Sequence, residues 1–466
     1  MTQTARNHAT ATPPAILVRN PFDGTLVAEV AASTPTEIAQ AVAAAGRAQA
    51  GFKHSSPFER RSLLDALADR IAANAEELAQ TIRLEVGKTI REARNEVRRS
   101  QNTLRLSGDA ATFLDGEVLH CGIVAGGADR RATVTYVPTG VVGAITPFNY
   151  PLNLLCHKLG PAIAAGNAMV AKPSPKAPLA AARLAELAVE AGFPKGLFQV
   201  VHGGADAALA LARAPIDLLS FTGGPKAGLA LKNASGLVRC LMELGGNDPL
   251  FVFPDGDLEK AVETAVTHRF EIAGQSCAAV KRLYLHRDIE AAFTNRLLEA
   301  VAAVRFGDPA SEATDMGPVI DEDAASLVRH RIAATLSNGA TLLAGGGGEG
   351  TLVEPTVLAG VDPASPVIAD ETFGPVIAIR SFDDASDVIA EVNAGAYGLQ
   401  AGIFTNDHAR VKRFSRELAV GGVMVNEGPD FRAEHVPFGG IKSSGLGREG
   451  VRIAIREMSE TRVVID

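Results

Sequence analysis

Cys277 at the end of G-Q-S-C, Glu243 at the head of E-L-G-G-N and Asn149 within P-F-N-Y-P are the side chains of this sequence best suited to work on a carbonyl group. A thiolate adds to a carbonyl carbon and makes a tetrahedral adduct, from which a hydride can leave. The thioester left behind must be hydrolysed, and the attacking water needs a base. An amide N–H aimed at the adduct stabilises its oxyanion, a part open to Asn149 together with the Cys277 backbone N–H. Each residue also has a plainer reading. A lone cysteine is usually an inert buried hydrophobe, which is how Cys121, Cys156 and Cys240 are read. Glu243 can be a salt-bridged glutamate, and Asn149 a turn former before Tyr150-Pro151.

The elements that must position these residues are legible as periodic runs. Cys277 follows a predicted helix from Asp257 to near Gly274, so it stands in a loop between helix and strand. Glu243 ends the apolar strand V-R-C-L-M-E-L, and Gly245-Gly246 behind it let backbone approach closely. Asn149 follows the strand V-V-G-A-I-T. Between 139 and 250 such runs alternate with alanine-rich helices near 177–191, 206–213 and 226–233, the pattern of a parallel, doubly wound sheet. A second α/β series starts at Pro249, with helices near 257–273, 289–304 and 322–338. Residues 15–117 read as mainly helical, with Leu63, Leu64, Leu67 and Ile71 at helical spacing after a Ser56-Pro57 start. Two strand-like runs within 118–138 read as a hairpin, and the terminal R-V-V-I-D as a strand that must dock elsewhere. The literal G-x-G-x-x-G at Gly345, Gly347 and Gly350 precedes no helix and reads as a loop; F-T-G-G-P-K-A-G at 221–228, where a strand ends and a helix begins, is the better dinucleotide candidate.

Seven segments in order resemble the aldehyde dehydrogenase superfamily: P-F-N-Y-P, K-P-S at 172–174, F-T-G-G, E-L-G-G-N, G-Q-S-C, E-T-F-G-P-V at 371–376 and P-F-G-G-I-K-S-S-G-L-G-R-E-G at 437–450. The branch it looks most like contains the lactaldehyde, succinate semialdehyde and phosphonoacetaldehyde dehydrogenases. That resemblance implies an α/β, aldehyde dehydrogenase-like fold: a doubly wound cofactor domain (15–117 and 139–243), an α/β catalytic domain (244–450) and a small oligomerisation element (118–138 and 451–466), after a loose tail at 1–14. It makes Cys277 the nucleophile and Glu243 the hydrolytic base, at the family's interval of 277 − 243 = 34 residues. NAD or NADP is the implied cofactor. Lys172 and Glu371 fall on its riboses and Phe373 beside its nicotinamide, with Ser174, Lys176, Gly223, Gly224 and Gly228 completing the cofactor set. Pro175 replaces a glutamate common in NAD-preferring members, and Lys176 beside it is able to accept a 2′-phosphate. The alternatives are a general short-chain enzyme, a CoA-acylating relative, which would need no hydrolytic base, and a non-catalytic relative.

Composition narrows the partners. A net charge of −8 speaks against a nucleic-acid binder, so that any basic patch must be local, and no uninterrupted apolar run is long enough to span a bilayer. With no signal peptide evident, the expectation is a cytoplasmic homodimer or homotetramer. No C-x-x-C or H-E-x-x-H occurs, so no metal is expected. On the substrate side Tyr150 and Ser276 join Arg99, from the arginine-rich stretch R-E-A-R-N-E-V-R-R, and Arg432 and His435 of F-R-A-E-H. The arginines suggest a small anionic or hydroxylated aldehyde; the plainer reading is a solvated helix face paired with Glu92 and Glu96. The absence of tryptophan leaves little for an aromatic cage around a quaternary ammonium.

Overall fold

Strands that read as unbroken apolar runs do so because both faces of their sheet are covered. In the computed structural model, which describes residues 15–466, Val141–Ile145 and Leu218–Thr222 are buried along their whole length. The tail proposed for residues 1–14 lies outside the described residues. Six strands form the first sheet, in the order Gly445–Leu446, Arg239–Glu243, Leu218–Thr222, Val141–Ile145, Ala168–Lys172 and Phe198–Val200. All pair in parallel except Gly445–Leu446, which returns from the C-terminal motif and sets Gly445 opposite Glu243. The second sheet has seven strands, centred on Arg282–His286 and Pro249–Val252, with one antiparallel edge pair, Thr341–Ala344 on Thr356–Ala359. The glycine-rich stretch 345–350 is the loop inside that edge pair.

The N-terminal part departs from the mainly helical expectation at its start. A-I-L-V-R and L-V-A-E-V-A pair as antiparallel strands Ala15–Arg19 and Leu26–Ala31, since runs this short around N-P-F-D-G close a turn before a helix can nucleate. Four helices follow. Ser56 caps the second, Pro57–Ala73, in a reciprocal capping box with Glu59, and Leu64, Leu67 and Ile71 are its core face. The fourth, Ile90–Ala110, lies against Asn153–Ala164.

Glu117–His120 and Arg131–Pro138 form the expected hairpin, and the last strand, Ser459–Ile465, pairs antiparallel with Arg131–Pro138. The helix just before it, Val451–Glu457, instead buries Val451 and Ile455 in the core of the first sheet, so only the end of the 451–466 segment joins the hairpin. Among the described residues no helix is long and apolar enough to cross a membrane, and no three His, Cys, Asp or Glu side chains group as a metal site.

Candidate active site

Glu243 at the end of the strand Arg239–Glu243, and Cys277 and Asn149 on two separate loops, line one cavity of about 290 Å³. The Cys277 loop leaves the helix Leu258–Phe270 through a turn in which Ile272 (φ 52°) and Ala273 (φ 50°) are left-handed. A β-branched residue there is strained and persists only if its surroundings hold it. They do: the Ile272 N–H donates to Glu92 Oε1 at 2.8 Å, and the Gln275 side chain bridges the Ile272 carbonyl (3.0 Å) and the Ile320 N–H (2.9 Å). Lys281 Nζ donates to the Ser276 and Cys277 carbonyls. Asn149 Nδ2 gives one hydrogen to the Gln275 carbonyl at 2.8 Å, which leaves its second N–H uncommitted and fixes the amide beside the Cys277 loop. On the chain just past Asn149, the Leu152 and Asn153 N–H groups donate to Glu96 Oε1 at 2.9 and 3.1 Å.

Glu243 is 3% exposed, and its Oε1 has no hydrogen-bond partner. Burial, then the nearby Glu449 carboxylate, raises its pKa well above the ordinary carboxylate range. Burial likewise raises the Cys277 thiol, with Glu243 and Asp430 adding to it. The Glu243 carboxylate thus opposes ionisation of the Cys277 thiol.

Behind them runs a chain of paired charges. Lys158 Nζ donates to Glu449 Oε1 (3.0 Å), Thr222 (2.8 Å) and Ser220 (3.0 Å). Arg432 donates to Glu449 Oε2 (2.8 Å) and stacks 4.4 Å over the Phe438 ring. His157 bonds Glu434 Oε2 (2.8 Å), and Arg99 donates to Glu434 Oε1 (2.8 Å). Burial works against both acids, yet Lys158 and Arg432 hold Glu449 below its usual range, and His157 and Arg99 hold Glu434 down to about 2. Sequence reasoning missed this network. Its signal was His157-Lys158 inside the otherwise apolar, wholly buried helix Asn153–Ala164, where charge demands a buried partner.

On the cofactor side, Leu218–Thr222 ends in Gly223 and Gly224, and Gly224 stands at the N-cap of the helix Pro225–Ala234. Gly228 brings that helix close, because a Cβ there would lie 2.7 Å from Leu244 Cδ2. Gly245 leaves room for the Glu371 carboxylate, which a Cβ would strike; Glu371 accepts from the Gly246 N–H at 3.2 Å. Phe373 packs edge-on to Phe148, with 6.0 Å between centroids. Gly223, Gly224, Glu371 and Phe373 all line the Cys277 cavity. Lys172, buried, is lowered to about 8 by desolvation, and its Nζ donates to the Pro173 (2.8 Å) and Gly203 (2.9 Å) carbonyls with one hydrogen left. Ser174 accepts from the Lys176 N–H at 3.2 Å, while the Lys176 ammonium is paired with Asp321. A positive helix end with open glycine backbone, a carboxylate able to accept from ribose hydroxyls and an aromatic ring in the Cys277 cavity fit a dinucleotide.

Tyr150, Ser276, Arg99 and Arg432 line the same cavity, but His435 does not. His435 is exposed because Glu434, one residue earlier, turns inward to Arg99 and His157 and leaves its neighbour to solvent. The supposed pairing of the arginine-rich helix with Glu92 and Glu96 is also corrected. Arg91 pairs with Asp315 and Arg94 with Glu76 and Glu312, whereas Glu92 and Glu96 face inward.

The aldehyde dehydrogenase family profile matches residues 8–464. A 3-sulfolactaldehyde dehydrogenase of Priestia aryabhattai is 41% identical over 451 residues, which are 96% of this chain and 94% of that protein. A sulfoacetaldehyde dehydrogenase of Neptuniibacter caesariensis is 39% identical over 447 residues, 96% of this chain and 98% of the other. The crystal structure of an NADP-dependent glyceraldehyde-3-phosphate dehydrogenase from Bacillus halodurans C-125, complexed with NADP, superposes with a TM-score of 0.95 at 36% identity, covering 98% of this chain and 96% of that one. With motifs, fold and whole-length similarity in agreement, the chain belongs to the aldehyde dehydrogenase family, the NAD(P)-dependent oxidoreductases that act on the aldehyde group.

Proposed function

We propose that this enzyme oxidises a small anionic or hydroxylated aldehyde to its carboxylic acid, with Cys277 as nucleophile, Glu243 as base and Asn149 as oxyanion donor. The observation that carries the reading is their meeting in one cavity: a thiol, a carboxyl with an unpartnered oxygen and an amide with a spare N–H. The Cys277 thiolate forms a C–S bond to the aldehyde carbon, and the spare Asn149 N–H faces the oxyanion. NAD(P)+, when bound, would accept the hydride that leaves the adduct and so turn it into a thioester; Lys172, the Gly223-Gly224 helix end and Glu371 would hold the cofactor. Glu243 then takes a proton from water as the new C–O bond forms, and the C–S bond breaks to release the acid and restore the thiolate. A CoA-acylating enzyme would have no use for Glu243.

Arg99 and Arg432 in the cavity wall support an anionic substrate, as do the relatives named for sulfonated aldehydes. A general short-chain specificity is favoured instead by one observation, that both arginines already hold carboxylates. Turnover of succinate semialdehyde against butyraldehyde, with NAD+ or NADP+ and with or without CoA, separates these readings. Preference for the anion without CoA supports ours; equal rates leave the general enzyme. The three-stranded sheet, with Val463, Val464 and Ile465 exposed, is our candidate subunit contact for a homodimer or homotetramer, which sedimentation would measure.

A further inference from the structure

Both cations that line the cavity, Arg99 and Arg432, have carboxylate partners, whereas, besides Glu243, two acids on its substrate side have no cation partner among the described residues. Arg99 is bonded to Glu434 and Arg432 to Glu449; behind the cavity wall Lys88, whose Nζ lies 3.6 Å over the Tyr150 ring, is bonded to Glu96 at 2.5 Å. Glu371, on the cofactor side, has Lys281 at 3.7 Å. Among the described residues, by contrast, the Glu271 carboxyl accepts no hydrogen bond and has no Lys, Arg or His within 4.0 Å. Asp430 accepts only the Ser276 hydroxyl, at 2.9 Å on Oδ1, and its Oδ2 is buried without a partner. Both acids line the cavity with Cys277. Ser276, the residue before Cys277, holds Asp430 beside the Cys277 loop, and Glu271 opens onto the same cavity.

We propose that Glu271 and Asp430 read a hydrogen-bond donor, a hydroxyl or an ammonium, carried by the aldehyde on a carbon next to or one beyond the carbonyl. This rests on the reading of Cys277 as nucleophile and deepens the substrate class given above. An aldehyde that brings a donor satisfies acceptors the protein leaves open. One that lacks it buries them unpaired, which is how a polar site rejects an apolar analogue. The groups facing Glu271 agree. Burial, then Asp430 and Glu92, oppose its charge against Lys88 and Arg99, and its pKa of about 7 lets it accept from a donor around neutral pH.

The test is a ratio, kcat/KM for lactaldehyde over kcat/KM for propionaldehyde, which differ only in the 2-hydroxyl. A parallel ratio sets 3-aminopropionaldehyde over propionaldehyde. None of these carries an anion, so the outcome is independent of the arginines. At least one ratio is expected to exceed about tenfold in the native enzyme and to collapse toward one in Glu271→Ala with Asp430→Ala. Should that pair fold poorly, the isosteric Glu271→Gln with Asp430→Asn keeps the volume. Amide oxygens still accept a hydroxyl, so a hydroxyl ratio falls only a few-fold, whereas an ammonium ratio falls more than about tenfold. Both ratios near one in the native enzyme, or unchanged in the variants, overturn the proposal. If Cys277→Ala leaves turnover intact, the failure lies instead in the catalytic reading.

Discussion

Glu449 and Glu243 are both buried carboxyls within reach of the same two cations, yet they are held in opposite states. In the wall behind the cavity, Glu449 accepts directly from Lys158 and Arg432 and stays ionised. On the face toward Cys277, Glu243 lacks a partner for Oε1 and is pushed toward its neutral form. Arg99, His157 and Glu434 extend the paired wall, while Asn149 Oδ1 and Asp430 Oδ2 extend the unpaired face. The contrast teaches how the site divides its work. Paired charges fix geometry, and groups left without partners keep the capacity to bind or exchange protons with something that enters.

The sharpest break removes the thiol. Cys277→Ala should lower turnover by more than about a hundredfold while cofactor affinity by titration calorimetry stays near normal, because the dinucleotide is held by other residues. Retained turnover would remove Cys277 from the chemistry. Glu243→Gln should slow the steady state by roughly 10²- to 10⁴-fold yet preserve a first-turnover burst of reduced cofactor, since the amide keeps the shape and loses the base. Loss of the burst would show that Glu243 also activates Cys277.

On the paired side, Glu96→Ala strands Lys88, since both side chains are fully buried, and should destabilise the fold by about 3–5 kcal/mol in denaturant unfolding. A loss below about 1 kcal/mol would mean that the pair is not structural. The pH profile joins the two regions. Glu243 and Cys277 are both raised, so they stay protonated to higher pH, and kcat/KM should climb with pH above neutrality as they ionise. Glu449→Gln removes an anion that raises Glu243 and should move that climb to lower pH; an unmoved profile breaks the coupling.

The smallest effect concerns the cofactor. Lys176 is paired with Asp321 in a half-exposed contact worth no more than about 1 kcal/mol, so a 2′-phosphate can compete for it. Asp321 also caps the helix Glu322–Ser337 through its side chain, a task asparagine performs equally well. Asp321→Asn should therefore leave stability unchanged and lower KM for NADP+ a few-fold relative to NAD+. An equal change for both cofactors would show that Lys176 does not discriminate between them.

Local order was open to sequence reading wherever neighbours along the chain decide it. The run Val141–Ile145, the helix start at Ser56-Pro57 and the strand-to-helix turn at Gly223-Gly224 each follow from short-range pattern. So did the chemical types of Cys277, Glu243 and Asn149. What tertiary structure alone decided is which charge meets which. Arg99 and Glu434 lie 335 residues apart, His157 and Glu434 277, and Lys158 and Glu449 291. The plainer reading of the arginine-rich stretch paired it with Glu92 and Glu96 on a solvated helix face. Packing turned those two acids inward instead, to hold the backbone of Ile272 and of Leu152-Asn153. A pairing gains its strength from distance and desolvation, quantities set only when separate segments close on one another. The same closure made His435 a surface residue and left Glu271 and Asp430 facing the cavity with acceptors open.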